Sequence, residues 1–102
     1  MKEYDIFLLL TYNDGTPIEP QKYQVLRERL LEQFGALTYF PQSNEGFWRM
    51  GDVLYQDEIV IFRVLAAKVR TARRFLTVLK EELKRDFRQE EILIIERDVE
   101  TL

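Results

Sequence analysis

Two segments of this chain are apolar at nearly every position rather than at alternate ones. From Tyr4 to Tyr12, Ile6, Leu8 and Leu10 fall on one side of an extended strand, and Phe7, Leu9 and Thr11 on the other. From Val53 to Leu65, Val60, Phe62 and Val64 oppose Ile59, Ile61, Arg63 and Leu65. A rim strand of a small sheet alternates apolar with polar. The doubled pattern therefore predicts two strands in mid-sheet, each with both faces at least partly covered. A bend or interruption is expected in the longer one near Gln56-Asp57.

Between them the period changes. Tyr23, Leu26, Leu30 and Phe34 recur at helical spacing, with Leu31 widening the stripe and Arg27, Glu28, Arg29 and Glu32 facing away. Pro20 suits the first turn, where its missing N–H costs nothing, and Gly35 is the expected left-handed stop. Asn13-Asp14-Gly15 marks the turn before this helix. A second helix is predicted from about Ala67 to Phe87, burying Val69, Ala72, Leu76, Leu79, Leu83 and Phe87, with Phe75 and Val78 broadening the stripe. Two shorter strands complete the set. One spans Ala36 to Gln42, placed at an edge because Pro41 cannot donate to a ladder, and the other spans Ile92 to Glu96. Ser43-Asn44-Glu45-Gly46 has the chemistry of a loop.

The order is strand, helix, strand, strand, helix, strand. Right-handed crossovers place the first and third strands in the middle. The expected fold is α+β: a ferredoxin-like βαββαβ sandwich, one domain over residues 1–102, with a four-stranded antiparallel sheet and two helices on one face. The helices are expected to take Ile6, Leu8, Leu10, Val60, Phe62 and Val64. That leaves Phe7, Leu9, Ile59, Ile61 and Leu65, with Thr11, on a face that no helix covers. An exposed apolar patch of this kind marks an interface or a ligand groove. The leading expectation is a homodimer with two sheets face to face, or with a pocket for a small-molecule ligand between them. The rival is a loop from Gln42 to Asp52 folded over the face, with Phe47 and Trp48 as its lid.

Composition mostly removes possibilities. The chain has no cysteine and no histidine, so disulfides, thiol nucleophiles, Cys- or His-bound metals and the commonest neutral-pH general base are absent. No cofactor and no metal is expected. The N-terminal apolar run, Ile6 to Leu10, is too short for a signal-peptide core and follows Glu3 and Asp5, which predicts a cytoplasmic protein with no membrane partner. Net charge is -3. Against that background, Lys68 to Arg88 carries eight basic residues and three acidic ones, and Arg70, Arg73, Lys80 and Lys84 can share a side of the second helix. A phosphate-contacting stripe is the sharper reading. A solvated face with internal pairs such as Glu81 with Arg85 is the commoner one, so nucleic acid is not the expected partner.

Candidate chemistry is sparse. Gly46-Phe47-Trp48-Arg49-Met50-Gly51 is the most unusual segment, since Trp beside Arg is a frequent contact pair in binding sites; the plainer reading is a hairpin whose Trp plugs the core edge. Tyr12, Tyr39 and Tyr55 offer hydroxyls, and Glu58 is a proton acceptor if partly buried. Asp57 and Glu58 alternate across the sheet and so do not form a paired-carboxylate site. Asp5 and Arg63 fall on the uncovered face, where antiparallel pairing predicts a cross-strand ion pair; the sharper alternative makes Arg63 an anion anchor in a pocket.

Gly46-Phe47-Trp48-Arg49, the Glu58-led apolar strand and the helix end Phe87-Arg88-Gln89 before Ile92-Leu93 together resemble a family of small bacterial proteins of unknown function. That family is read as ferredoxin-like and carries a Gly-x-Trp-Arg segment, a Glu-led strand and a Phe-x-Gln helix end. The resemblance implies the same fold and singles out Trp48, Arg49, Glu58 and Gln89, without an activity. The expected function is a small interaction or ligand-binding domain, with ligand candidates Trp48, Arg49, Glu58, Arg63 and Tyr39. One alternative is a dimeric α+β barrel-type enzyme with an aromatic pocket near Trp48. The other is a weak nucleic-acid or acidic-partner binder through the second helix.

Overall fold

A computed structural model describes the backbone of residues 1–102 and every side chain but that of Ser43. Six elements follow in order: β1 (Lys2–Leu9), α1 (Pro20–Phe34), β2 (Thr38–Met50), β3 (Val53–Ala66), α2 (Val69–Asp86) and β4 (Leu93–Asp98). The four strands form one antiparallel sheet in the order β2-β3-β1-β4. β1 and β3 are therefore the central pair, as their doubled apolar pattern requires. No helix is long and apolar enough to cross a membrane.

β1 is shorter than its apolar run. It ends at Leu9 because Leu10 turns the chain; the Leu10 carbonyl accepts from the Ile18 amide, and Thr11 bridges Pro17. Leu10 still packs against the core, whereas Thr11 is exposed and does not extend the open face. α1 starts at Pro20 and stops at Gly35, whose φ of 81° lets its amide close onto the Leu31 carbonyl. α2 ends more unusually. Arg88 takes a positive φ of 52°, and the next amide, of Gln89, reaches back to the Lys84 carbonyl.

The core lies between the sheet and both helices. Tyr4, Ile6 and Leu8 from β1 and Val60, Phe62 and Val64 from β3 are buried with Leu26 and Leu30 of α1 and Leu76, Leu79 and Leu83 of α2. Edge-to-face rings join the helical ends, Tyr23 with Phe87 at 5.4 Å and Phe34 with Phe75 at 5.7 Å. The stripes are narrower than expected: Leu31 and Val78 are exposed, and Val69 is half-buried. Each helix presents only a narrow stripe to a sheet this small, and these positions lie beyond it.

The largest departure concerns β2. The predicted loop after Gln42 is strand, running to Met50 and paired with β3 from Asn44↔Ile59 to Met50↔Val53. Pro41 sits at an irregularity between Phe40 and Asn44 on the edge strand, where a missing amide is tolerated. Gly51-Asp52 forms the two-residue turn, with Gly51 at φ 60° as such tight hairpin turns demand. β3 runs unbroken through Gln56-Asp57. Because β1 pairs with β3 only as far as Leu9↔Ile59, residues 44–58 leave the sheet as a two-stranded ribbon. The lid over the open face is thereby overturned: Phe47 and Trp48 stand on this ribbon and are exposed.

Candidate functional site

On the face away from the helices, β1 and β3 bring together two zones. Toward the ribbon lie Phe7, Leu9, Ile59 and Ile61, all half-buried, with Phe40 of β2 paired to Ile61. Leu65, at the other end of β3, and Leu93 of β4, paired with Phe7, are exposed. On β1 and β3 the alternate residues Ile6, Leu8, Val60, Phe62 and Val64, on the helix side, are buried.

The second zone is ionic. Asp5 is 1% exposed although no helix covers it. Its carboxylate lies opposite Arg63 on β3, which donates through Nε at 2.8 Å and Nη2 at 3.0 Å, and it also accepts from Arg97 Nη2 of β4 at 2.5 Å. Glu3, two residues earlier on the same face, lies 3.2 Å from Arg63 and 3.7 Å from Arg97. The expected Asp5–Arg63 pair is thus present, within a larger cluster. Hydrogen bonding to Asp5 holds the Arg63 guanidinium above its ordinary value. The Phe40 ring lies 5.0 Å from that guanidinium, in cation–π range. Two carboxylates match two guanidiniums, so Arg63 brings no unmatched positive charge to the face.

The remaining ligand candidates do not converge. Trp48 pairs with Tyr55 on the open-face side of the ribbon; the rings stack at 4.2 Å, and the indole N–H donates to Asp57 at 2.8 Å. Trp48 is 44% exposed and does not plug the core edge. Arg49 and Glu58 point to the opposite side, pairing with Leu54 and Glu45, and both are exposed. Tyr39 also lies on the helix side, stacked on Phe62 at 4.6 Å beneath the Arg27 guanidinium. A pocket uniting Trp48 with Arg49 and Glu58 is therefore not formed within one copy of the chain.

Two polar clusters have no counterpart in the sequence reading. At the β4 edge, the Tyr4 hydroxyl donates to Glu96 at 2.8 Å, and Arg73 of α2 grips the same carboxylate at 2.6 and 2.7 Å. They border a shallow cavity of about 310 Å³ with Lys80 and Thr77. Burial, then the Glu96 contact, pushes Tyr4 up to about 12, while the Arg73 hydrogen bonds hold Glu96 down to about 2. Near the start of α1, the Tyr12 hydroxyl donates to Glu19 and accepts from Lys22 at 2.6 Å, with the Arg88 guanidinium 4.9 Å from its ring. Tyr4 and Glu96 are distant in sequence and only the strand register pairs them, whereas Tyr12, Glu19 and Lys22 are near neighbours joined by the turn into α1.

The Glu96 arrangement predicts a pH dependence. Folding favours the carboxylate, so its contribution is whole above the ordinary value of about 4.5 and is lost as pH falls toward about 2. Glu96→Gln is expected to melt below the parent at neutral pH, with the gap closing as the solution is acidified. Thermal melts at fixed ionic strength read this directly; a gap of constant size would show that the carboxylate's charge is immaterial.

On α2, Arg73, Lys80 and Lys84 are engaged by Glu96, Glu91 and Glu81. Most of the expected basic stripe is therefore internally neutralised.

No protein-family model matches the chain, and no curated protein sequence does. Its fold is shared with a phage SAM lyase in complex with S-methyl-5'-thioadenosine: TM-score 0.64, 16% identity, over 95% of this chain and 80% of that one. The same lyase in its apo state gives TM-score 0.64 and 17% identity, over 94% and 78%. At this identity the likeness establishes a common α+β architecture.

Proposed function

We propose that this protein is a small ferredoxin-like interaction domain, akin to the bacterial family it resembles, that works in the cytoplasm as a homodimer through its open sheet face. One observation carries the reading. In mid-sheet, Phe7, Leu9, Ile59 and Ile61 stay only half-buried, while every residue between them on the same strands is sealed under the helices. Covering them would contribute on the order of 5–10 kcal/mol gross, comparable to the cost of association, so the face favours a dimer without making it obligatory. The neutral Asp5 cluster suits such an interface, since its charges are already paired before water is removed.

Light scattering tests this. The parent should show twice the chain's 12.3 kDa, and Ile61→Glu should return it to one chain with unchanged circular dichroism. A parent that stays at one chain at its solubility limit would refute the reading.

The likeness to the phage SAM lyase supports a second reading: a dimeric α+β barrel-type enzyme whose aromatic pocket near Trp48 is completed between copies and takes an adenine thioether nucleoside. The stacked Trp48 and Tyr55 rings supply an aromatic platform. Titrating S-methyl-5'-thioadenosine should then quench Trp48 emission, the chain's single tryptophan signal; saturating ligand without effect removes this reading.

A further inference from the structure

The ribbon of residues 44–58 has no core of its own. Phe47, Trp48, Met50, Val53, Leu54 and Tyr55 are between 39% and 63% exposed. They lie on both of its sides, since Trp48 pairs with Tyr55 on one and Arg49 with Leu54 on the other. A ribbon apolar on both sides exceeds the scattered surface hydrophobics of a soluble chain. Nor does it flop: the Trp48–Tyr55 stack and the Trp48–Asp57 hydrogen bond hold it in shape.

We infer that this ribbon is a docking arm that clasps a second copy of the chain. The inference rests on the self-association proposed above and specifies how it is made. Two observations select a second copy. First, the Trp48–Tyr55 side of the ribbon continues the open face through Asn44↔Ile59, so a copy seated on that face meets the arm directly. Six residues beyond Ile59 reach about 20 Å, so the arm extends the open face well past the end of β1. Second, the arm adds six large exposed side chains to the four half-buried ones of the open face, widening the apolar surface a second copy would cover. The arm's own charge argues against other occupants. Residues 44–58 carry Glu45, Asp52, Asp57 and Glu58 against Arg49, and Glu45 directly opposes Glu58, a repulsive pair in isolation. The same acidity disfavours anionic lipid and nucleic acid.

Trp48 is the built-in probe. Its emission should be that of a solvated indole in dilute solution and shift to the blue as concentration rises, in step with the light-scattering mass. Met50→Lys with Val53→Lys, on the Trp48 side of the arm's tip, should weaken association at least tenfold. Trp48→Ala with Leu54→Ser should also weaken it, with unchanged thermal melting of the dilute monomer, because neither side chain belongs to the core. If the parent dimerises while Trp48 emission and the arm variants leave association untouched, the arm is not the clasp and the open-face dimer stands without it. If the parent never associates, both ideas fail. Trp48-dependent binding to neutral phosphatidylcholine vesicles, with no self-association, would overturn the second copy in favour of a bilayer.

Discussion

Replacing Asp5 with alanine is expected to lower the unfolding free energy by about 2–3 kcal/mol. The carboxylate is 1% exposed and accepts three hydrogen bonds from two arginines, so its loss strands two guanidiniums held against the sheet. Breaking a fully buried pair costs more. Here the Arg63 and Arg97 side chains remain partly in water, which screens them and reduces the figure. Asp5→Asn keeps the shape and an acceptor but loses the charge, and is expected to cost about half as much. Denaturant unfolding measures both. In the proposed dimer the cluster is further desolvated, so the Asp5→Ala penalty should grow with protein concentration. A cost below about 0.5 kcal/mol at every concentration would place Asp5 among ordinary surface residues.

Asp5 and Arg63 also show what the sequence could convey. Both lie in strands apolar on both faces, and that pattern alone puts the strands side by side; once they are antiparallel neighbours, the start of one meets the end of the other. Arg97, the third member, was not legible, because β4 is short and nothing in Leu93–Asp98 fixes its register against β1. The same holds for Glu96 with Tyr4, which are directly paired yet 92 residues apart. The fold gives adjacency, whereas register decides chemistry.

The ribbon departs from the sequence expectation for a different reason. Ser43-Asn44-Glu45-Gly46 is poor in strand formers, and Pro41 ordinarily ends pairing on an interior strand. β2 nevertheless continues past both, because an edge strand can absorb the proline in an irregularity and then resume against β3, whose own residues Val53–Tyr55 favour extension. The consequence is functional. A loop there would have covered the open face; a ribbon leaves that face bare and adds to its apolar surface.

Phe62 and Ile61 are adjacent on β3 and separate the two roles of the sheet. Phe62 is fully buried on the helix side and stacks on Tyr39, so Phe62→Ala is expected to cost about 3–5 kcal/mol. That is a large share of the roughly 5–15 kcal/mol that holds a domain of this size, so part of the variant should be unfolded at ambient temperature. Phe62→Leu, at about 1 kcal/mol, keeps the position measurable if alanine does not fold. Ile61 faces the other way and is half-buried; in the dilute monomer Ile61→Ala should cost about 1 kcal/mol. The two penalties respond differently to mass action. By mass action a dimer stabilises the folded chain by an amount that grows with the logarithm of concentration above its Kd, so the Ile61→Ala deficit should widen as protein concentration rises, while the Phe62→Leu deficit holds constant. Denaturation curves at low and high concentration distinguish the cases. Parallel behaviour of the two variants would mean that Ile61 serves the monomer alone, and that the bare face of β1 and β3 is not where this protein meets its own copy.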